Sequence, residues 1–397
     1  MNTVLPAFTY EFMLTRKCNM NCSYCFEKDK SGTSDADLDK IYDMLINGGL
    51  YSDQACSKFY MFGGEPLLNV EFLDKLSQKI QDNKNLSESA KKKYIESIFS
   101  NITTNGTLID KAMPILKKYN ASLQISLDGP EDVNDACRVD YNGKGHFQQI
   151  MDNIKLCQEN EIRYCLHGAV AACNYKNFAR IVRWFVEMQL ENPNKFPIEQ
   201  LLFHNYLQLV FEDNISDEDI DTLLQQYQEV VETLLYSDLL KDYTPKQRAD
   251  CACGFLARHG GRCSAANNMY AFDNDMYIYP CHRLMTSGME KYTHEFALGK
   301  LGSSEHWNYK LYEQFLDAPN KGILYGPVFD YITFDDDRYN FMANWCPSTN
   351  LECTGNTNTY PCKHDVLLAE LQKFIPKLAE YYGLDLDDYR KRFKGKN

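Results

Sequence analysis

Three cysteines fall within eight residues near the start of the chain: Cys18-Asn19-Met20-Asn21-Cys22-Ser23-Tyr24-Cys25. Thiolates are soft ligands, and clustered in this way they read as a metal site, zinc or iron–sulfur. A structural zinc site wants a fourth ligand, which this loop does not supply. A 4Fe–4S cluster held by three cysteines keeps one iron free, able to bind a small molecule through nitrogen and oxygen. The chain has 15 cysteines in all. Cys56, Cys137, Cys157, Cys165 and Cys173 are scattered and read in part as buried free thiols. Cys251, Cys253, Cys263, Cys281, Cys346, Cys353 and Cys362 fall in the last third. No secretory signal is recognisable, so a reducing cytoplasm is expected, which argues against a disulfide framework.

A second set of residues could bind a ligand rather than a metal. Met61-Phe62-Gly63-Gly64-Glu65-Pro66 reads either as a turn or as a ligand cradle. In the cradle reading the glycines allow close backbone approach, and the carboxylate accepts hydrogen bonds from an ammonium group. Thr103-Thr104-Asn105-Gly106-Thr107 and Ser126-Leu127-Asp128-Gly129-Pro130 follow later apolar runs, with Asn134 and Arg138 downstream.

These segments need a scaffold that brings them to one end. Strands are expected at Tyr10–Leu14, Lys58–Phe62, Ile98–Thr103, Leu123–Leu127, Arg163–Ala171 and Leu201–Val210. Helices are expected at Asp37–Ile46, Val70–Gln81, Leu108–Tyr119, Phe147–Gln158 and Phe178–Leu190, where apolar residues recur at three- and four-residue spacing. Sustained strand–helix alternation predicts an α/β fold with a parallel sheet and right-handed crossovers. Six units curl into a partial (β/α)6 barrel of the triose-isomerase type, whose chemistry sits at the C-terminal strand ends. Each motif above directly follows an expected strand. Ser216–Leu240 reads as a long helix capped by Ser216. From Cys251 the chain is rich in Gly, Asn, Cys and Tyr, an irregular region stapled by metal, before a C-terminal helix from Val366. The expected divisions are 1–210 for the barrel, 211–250 for a helical linker, 251–365 for the Cys-rich domain and 366–397 for the C-terminal helix.

Composition removes other classes. The formal net charge of −13 makes a poor nucleic-acid binder. No apolar run approaches the roughly 18 residues of a membrane helix.

The Cys-x3-Cys-x2-Cys loop with Tyr24 and Phe26 beside Cys25, followed by Gly63-Gly64-Glu65-Pro66, resembles the radical S-adenosylmethionine (AdoMet) family. The resemblance implies that Cys18, Cys22 and Cys25 hold a 4Fe–4S cluster. It places AdoMet against Tyr24, Gly63, Gly64, Glu65, Pro66, Thr104, Asn105, Ser126, Asp128 and Arg138. The Gly-Gly-Glu-Pro segment meets the methionyl amino group, strand-four polar residues meet the ribose, and the arginine pairs with the carboxylate. The implied chemistry is reductive cleavage of AdoMet to a 5′-deoxyadenosyl radical, which abstracts an unactivated hydrogen.

The C-terminal cysteines resemble the SPASM or twitch extension of peptide-modifying members, which holds one or two auxiliary iron–sulfur clusters. The ligands expected are Cys253, Cys263, Cys281, Cys346, Cys353 and Cys362. The usual Cys-x2-Cys-x5-Cys-x3-Cys block is absent. Met276 stands where the family has a glycine five residues before the second cysteine. Two fully ligated clusters need one thiolate more than the region offers, so an open auxiliary iron is expected if both are present. In sulfatase-maturing relatives the position of His282 is an aspartate base, so His282 is the candidate catalytic residue.

The leading expectation is a peptide maturase that installs a thioether or carbon–carbon cross-link in a ribosomally made precursor. Anaerobic sulfatase maturation, forming formylglycine, shares every motif except the aspartate and the cysteine block. A non-enzymatic iron–sulfur or zinc protein is the third reading; it needs no site for an amino acid. Implied partners are the precursor peptide or protein and an electron donor such as flavodoxin or ferredoxin. The first strand begins close to the start, so the leader is expected to be read by a separate protein or by the barrel and extension themselves.

Overall fold

The computed structural model describes residues 9–27, 30, 36–47, 58–191, 206–210, 216–245, 247–248, 265–266, 268–285, 294–301, 307–317, 348 and 351. The chain divides into two compact units. The first comprises Met1–Leu127, Arg138–Leu166 and Ser264–Leu316, and the second comprises Asp128–Cys137, His167–Cys263 and Asp317–Asn397.

The first unit is built on a sheet whose centre is β1 (Thr9–Met13). β1 pairs in parallel with β2 (Lys58–Phe62), which leads on to β3 (Ile102–Thr104) and β4 (Ser122–Ser126), all parallel. A strand covered on both faces must be apolar nearly throughout, and Phe12 and Met13 are each 1 % exposed. Glu11 breaks that rule, buried in the same strand. Helices α1 (Leu38–Asn47), α2 (Val70–Gln81), α3 (Glu88–Ile98), α4 (Ile109–Lys118) and α6 (Phe147–Glu159) belong to this unit; α5 (Glu131–Cys137) belongs to the second. Leu73, Leu76 and Ile80 bury the apolar stripe of α2 completely, each contributing about 1.5–3 kcal/mol.

The expected strand three, Ile98–Thr103, is a correction. Ile98 closes α3, and β3 begins only at Ile102. α3 escaped the periodicity reading because its buried face is Lys91, Tyr94 and Ile98, so only two of its three members are apolar. The short α5 also went unread.

On the other side of β1 the sheet continues into the region expected to be irregular. β7 (Met269–Phe272) pairs in parallel with β1, and β8 (Tyr277–Tyr279) and β9 (Gly299–Lys300) follow antiparallel. The cause is legible in hindsight: Met269-Tyr-Ala-Phe and Tyr277-Ile-Tyr are short runs rich in strand-forming residues. A last helix, α9 (Tyr309–Asp317), belongs to this unit.

β5 (Arg163–Ala171) enters the first unit with its opening residues, and in the second its remainder pairs in parallel with β6 (Tyr206–Val210). There α7 (Phe178–Glu191) packs on α8 (Asp217–Tyr236), with Phe178 edge-on to Tyr227 at 5.0 Å. Ser216 caps α8 as expected, in a capping box with Asp219. Cys137 and Cys173 form a disulfide in this unit, at a Cα separation of 6.0 Å. This departs from the expectation of free thiols: the end of α5 and the turn after β5 bring the two within bridging range.

The parallel strands of each unit, with their helices, bear out the α/β class. The residues expected to form the C-terminal helix, and Leu201–Asn205 of the expected strand six, lie outside the described residues. Among the described residues no helix is long and apolar enough to cross a membrane.

Candidate active site

The cysteine loop leaves the C-terminal end of β1 and is zipped to the segment leaving β2. Gly64 N–H donates to Thr15 O and Glu65 N–H to Lys17 O, each at 2.8 Å. This close approach explains the glycines. A Cβ on Gly63 would lie 2.3 Å from Thr15 O, and one on Gly64 would lie 2.3 Å from Lys17 O and 2.5 Å from Arg16 O. Gly63 also sits at φ +155°. The backbone these glycines admit is that of residues 15–17, which immediately precede Cys18.

Glu65 is fully buried and caps the turn Pro66–Asn69. Its Oε1 accepts from Leu67 N–H (2.9 Å) and the Thr104 hydroxyl (2.7 Å), and its Oε2 accepts from Asn105 N–H (2.6 Å). Burial raises the pKa of this carboxyl, against the pull of those three hydrogen bonds and the Arg138 charge. Glu65 therefore ties the end of β2 to the end of β3.

The segment after β3 is tied in turn to the cysteine loop. Asn105 Nδ2 donates to Asn19 Oδ1 (2.9 Å) and lies 3.9 Å from Cys18 Sγ. Asn19 Nδ2 donates to the Thr107 hydroxyl at 2.7 Å. A third attachment comes from the segment after α5: Asn21 N–H donates to Val139 O (2.7 Å), and Arg138 Nη1 donates to the Tyr24 hydroxyl (2.7 Å). Cys18, Cys22 and Cys25 are free thiols, each partly covered. Burial pushes the Cys18 thiol up to about 12 and raises Cys25 as well. Ligation would have to displace their protons. Among the described residues no three His, Cys, Asp or Glu groups close round a single ion. Three thiol donors on one short loop would suit an iron–sulfur cluster by their chemistry.

Ser126 ends β4. Asp128 lies in the second unit, where it is fully buried: its Oδ1 accepts from Ala169 N–H (2.9 Å) and its N–H donates to Asn134 Oδ1 (3.1 Å).

His282 sits just past β8, in the turn His282–Met285. Its backbone N–H (3.0 Å) and its Nδ1 (2.9 Å) both meet Glu11 Oε2. Its ring lies against Phe62 (5.1 Å) and Phe26 (5.8 Å), the residue after Cys25. Burial works to lower the His282 pKa, but the adjoining Glu11 carboxylate outweighs it and raises the pKa overall. Glu11 and Asn19 are the functional candidates that sequence reading missed. A lone carboxylate inside the strand Thr9-Tyr-Glu-Phe-Met was the available signal for the first. Cys281 is buried beside His282. Cys253, Cys263, Cys346, Cys353 and Cys362 lie outside the described residues.

Residues 12–184 match the model of the Radical SAM superfamily. This stretch forms a radical SAM domain, and the chain is an enzyme of radical chemistry. Such a domain works with a 4Fe–4S cluster and S-adenosylmethionine. The chain is 23% identical over 332 residues to a cysteine-type anaerobic sulfatase-maturating enzyme of Clostridium novyi (strain NT), covering 76% of this chain and 79% of the relative. A serine-type enzyme of Bacteroides thetaiotaomicron is 23% identical over 308 residues, covering 67% and 69% respectively. The solved structure of native anSMEcpe with bound AdoMet and Cp18Cys peptide shares the fold of this chain, with a TM-score of 0.62 at 16% identity, over 96% of this chain and 99% of that one.

Proposed function

We propose that this radical SAM enzyme is a maturase acting on a peptide or protein. The observation that carries the reading is the assembly in which one cysteine loop is hydrogen-bonded to both the Gly63–Pro66 and the Thr104–Thr107 segments. Cys18, Cys22 and Cys25 would hold the cluster. Gly63, Gly64, Glu65 and Pro66 would meet the AdoMet amino group, with Thr104 and Asn105 beside them. Ser126 and Asp128 would meet the ribose, and Tyr24 and Arg138 the carboxylate. When bound, the reduced cluster and AdoMet supply a one-electron cleavage able to remove an unactivated hydrogen from substrate.

The chain's own contribution is position and proton handling. The Glu11 carboxylate holds the Nδ1 proton of His282, so the neutral ring presents Nε2 as the basic nitrogen. Such a base suits loss of a substrate proton after hydrogen removal. The reaction we favour is formation of a thioether or carbon–carbon cross-link in a ribosomally made precursor. In this reading residues 251–365 carry one or two auxiliary clusters on Cys253, Cys263, Cys281, Cys346, Cys353 and Cys362. A ferredoxin or flavodoxin would supply the electron. Formylglycine formation is the second reading, supported by likeness to sulfatase-maturating enzymes over 76% of the chain.

The test is anaerobic reconstitution of wild type and of Cys18→Ala/Cys22→Ala/Cys25→Ala. The expected result is roughly 4 iron and 4 sulfide lost in the variant, together with 5′-deoxyadenosine release from AdoMet. Zinc in place of sulfide, with no AdoMet cleavage, would sink the proposal. Cysteine peptides then separate the two reactions: a cross-link removes two hydrogens, whereas formylglycine leaves an aldehyde that a hydrazide traps.

A further inference from the structure

We infer that Asn105 sets the reduction potential of the cluster on Cys18, Cys22 and Cys25, by aiming an amide N–H at the Cys18 sulfur. The inference rests on the reading of Cys18 as a cluster ligand and adds to it a residue that tunes the electron the reaction depends on.

The orientation of the Asn105 amide follows from its neighbours. Asn105 Oδ1 faces the backbone N–H of Thr107 at 3.0 Å. A backbone N–H can only donate, so the atom opposite it must be the oxygen, and the NH2 group must point the other way. There the nitrogen finds Asn19 Oδ1 at 2.9 Å and Cys18 Sγ at 3.9 Å, one partner for each of its two hydrogens. The surrounding bonds close a ring. Asn19 Nδ2 donates to the Thr107 hydroxyl (2.7 Å), and that hydroxyl donates to Asn105 Oδ1 (2.7 Å). Each group is used in the sense its chemistry allows, so rotating the amide would break several bonds at once. The Asn105 main chain is fixed as well, through its N–H on Glu65 Oε2 at 2.6 Å. Asn105 is only 6 % exposed, so water does not compete for the amide.

Cys18 receives one further donor, the N–H of Met20 at 3.4 Å, from its own loop. That donor is main chain and comes with the motif; Asn105 is a side chain and can be tuned. An N–H directed at a ligand sulfur withdraws negative charge from the iron–sulfur unit, and the effect is large where the local dielectric is low. The withdrawn charge favours the state carrying one more electron, so the donor raises the potential. Removing it should make the cluster harder to reduce.

The experiment is an EPR-monitored redox titration of the reconstituted full chain with dithionite, one electron reducing each cluster. Wild type, Asn105→Ala and Thr107→Val are compared, with iron and sulfide measured on each sample. At the wild-type midpoint the reduced-to-oxidised ratio in Asn105→Ala is expected to fall about tenfold, a shift of about 59 mV to more negative potential for a one-electron couple. Thr107→Val leaves the amide in place but removes the hydroxyl that locks it, so a smaller shift of the same sign is expected. An unmoved midpoint in both variants, at full iron and sulfide, would overturn the inference and leave Cys18 as a ligand. Loss of the cluster from both variants would make Asn105 a brace for the loop and overturn it equally. Absence of an iron–sulfur signal in wild type would instead remove the underlying reading.

Discussion

Two buried glutamates in the same unit are held in opposite ways. Glu65, between the ends of β2 and β3, accepts from two backbone N–H groups and one hydroxyl. Glu11, in the middle of β1, accepts from the backbone and ring of His282 at the end of β8. None of the donors on Glu65 titrates near neutral pH, whereas the partner of Glu11 does. The backbone differs in the same sense. Around the cysteine loop the positive-φ positions are Gly63 and Gly106; around the hairpin that carries His282 they are Ala266, Met276 and His294. The strand-end side meets its positive-φ positions with glycines, which adopt them without strain, and leaves no room for a Cβ at Gly63 or Gly64. The hairpin side tolerates backbone strain and holds a group whose charge can change. A fixed frame for the cofactors and an adjustable proton carrier are what the proposed reaction needs from each.

The largest expected effect comes from breaking the fixed side. Gly64→Ala places a methyl group 2.3 Å from Lys17 O, a contact with backbone that no side-chain rotation relieves. The two loops must separate, and both hydrogen bonds of the zipper go with them. Iron uptake on Cys18, Cys22 and Cys25 should fall at least tenfold, as should AdoMet cleavage. Full iron content in Gly64→Ala would show that the zipper is dispensable. Glu65→Gln is a finer cut, because it keeps the shape and turns one acceptor into a donor facing a donor. A loss of about 2–3 kcal/mol in stability is expected from chemical denaturation, the scale of a charge-assisted bond together with a buried unsatisfied N–H.

Most of this frame was legible from residue order. Lys58–Phe62, Arg163–Ala171 and Val70–Gln81 have the bounds the apolar spacing indicates, since deep burial leaves a strong periodic trace. The cysteine loop, Gly63–Pro66 and Thr104–Thr107 were legible as strand-end motifs. Their mutual wiring was not. Asn19 and Asn105 are ordinary polar residues whose pairing spans 86 positions, and nothing local specifies it. Glu11 was not singled out, because its partner lies 271 residues away. The hairpin side was legible only in part: short strands that complete another strand's sheet carry little periodicity of their own, so β7–β9 looked irregular. The family's glycine before the second cysteine has a physical explanation here. Met276 occupies that position at φ +66°, the left-handed conformation that glycine adopts without cost.

That position gives the next prediction. Met276 is 3 % exposed, so its side chain is part of the core. Met276→Gly relieves about 1 kcal/mol of backbone strain. It also removes a buried side chain whose truncation costs about 2–5 kcal/mol. The net expectation is a loss of about 1–4 kcal/mol, seen as a lower thermal midpoint. A gain in stability would mean that strain dominates on the hairpin side and that Met276 is tolerated rather than used.

The smallest effect is the most discriminating between the two glutamates. The ring of His282 is 41% exposed, so its pairing with Glu11 should contribute about 1 kcal/mol or less. Glu27 adds to the attraction for the protonated ring and Arg283 opposes it, but Glu11 is the nearest charge. The folded pKa lies above the ordinary histidine value, so the sign is fixed. The pairing contributes fully below about pH 6.5 and is lost as pH rises through the folded pKa. The difference in thermal midpoint between wild type and His282→Gln should therefore be greatest near pH 6 and shrink toward pH 9. The corresponding difference for Glu65→Gln should not follow an imidazole titration: its donors keep their protons throughout, and any slope comes from the Glu65 carboxyl itself, whose pKa burial raises. Parallel slopes for the two variants would erase the distinction between a fixed and an adjustable side. A slope for His282→Gln alone would locate the titrating element of this unit in the Glu11–His282 pair.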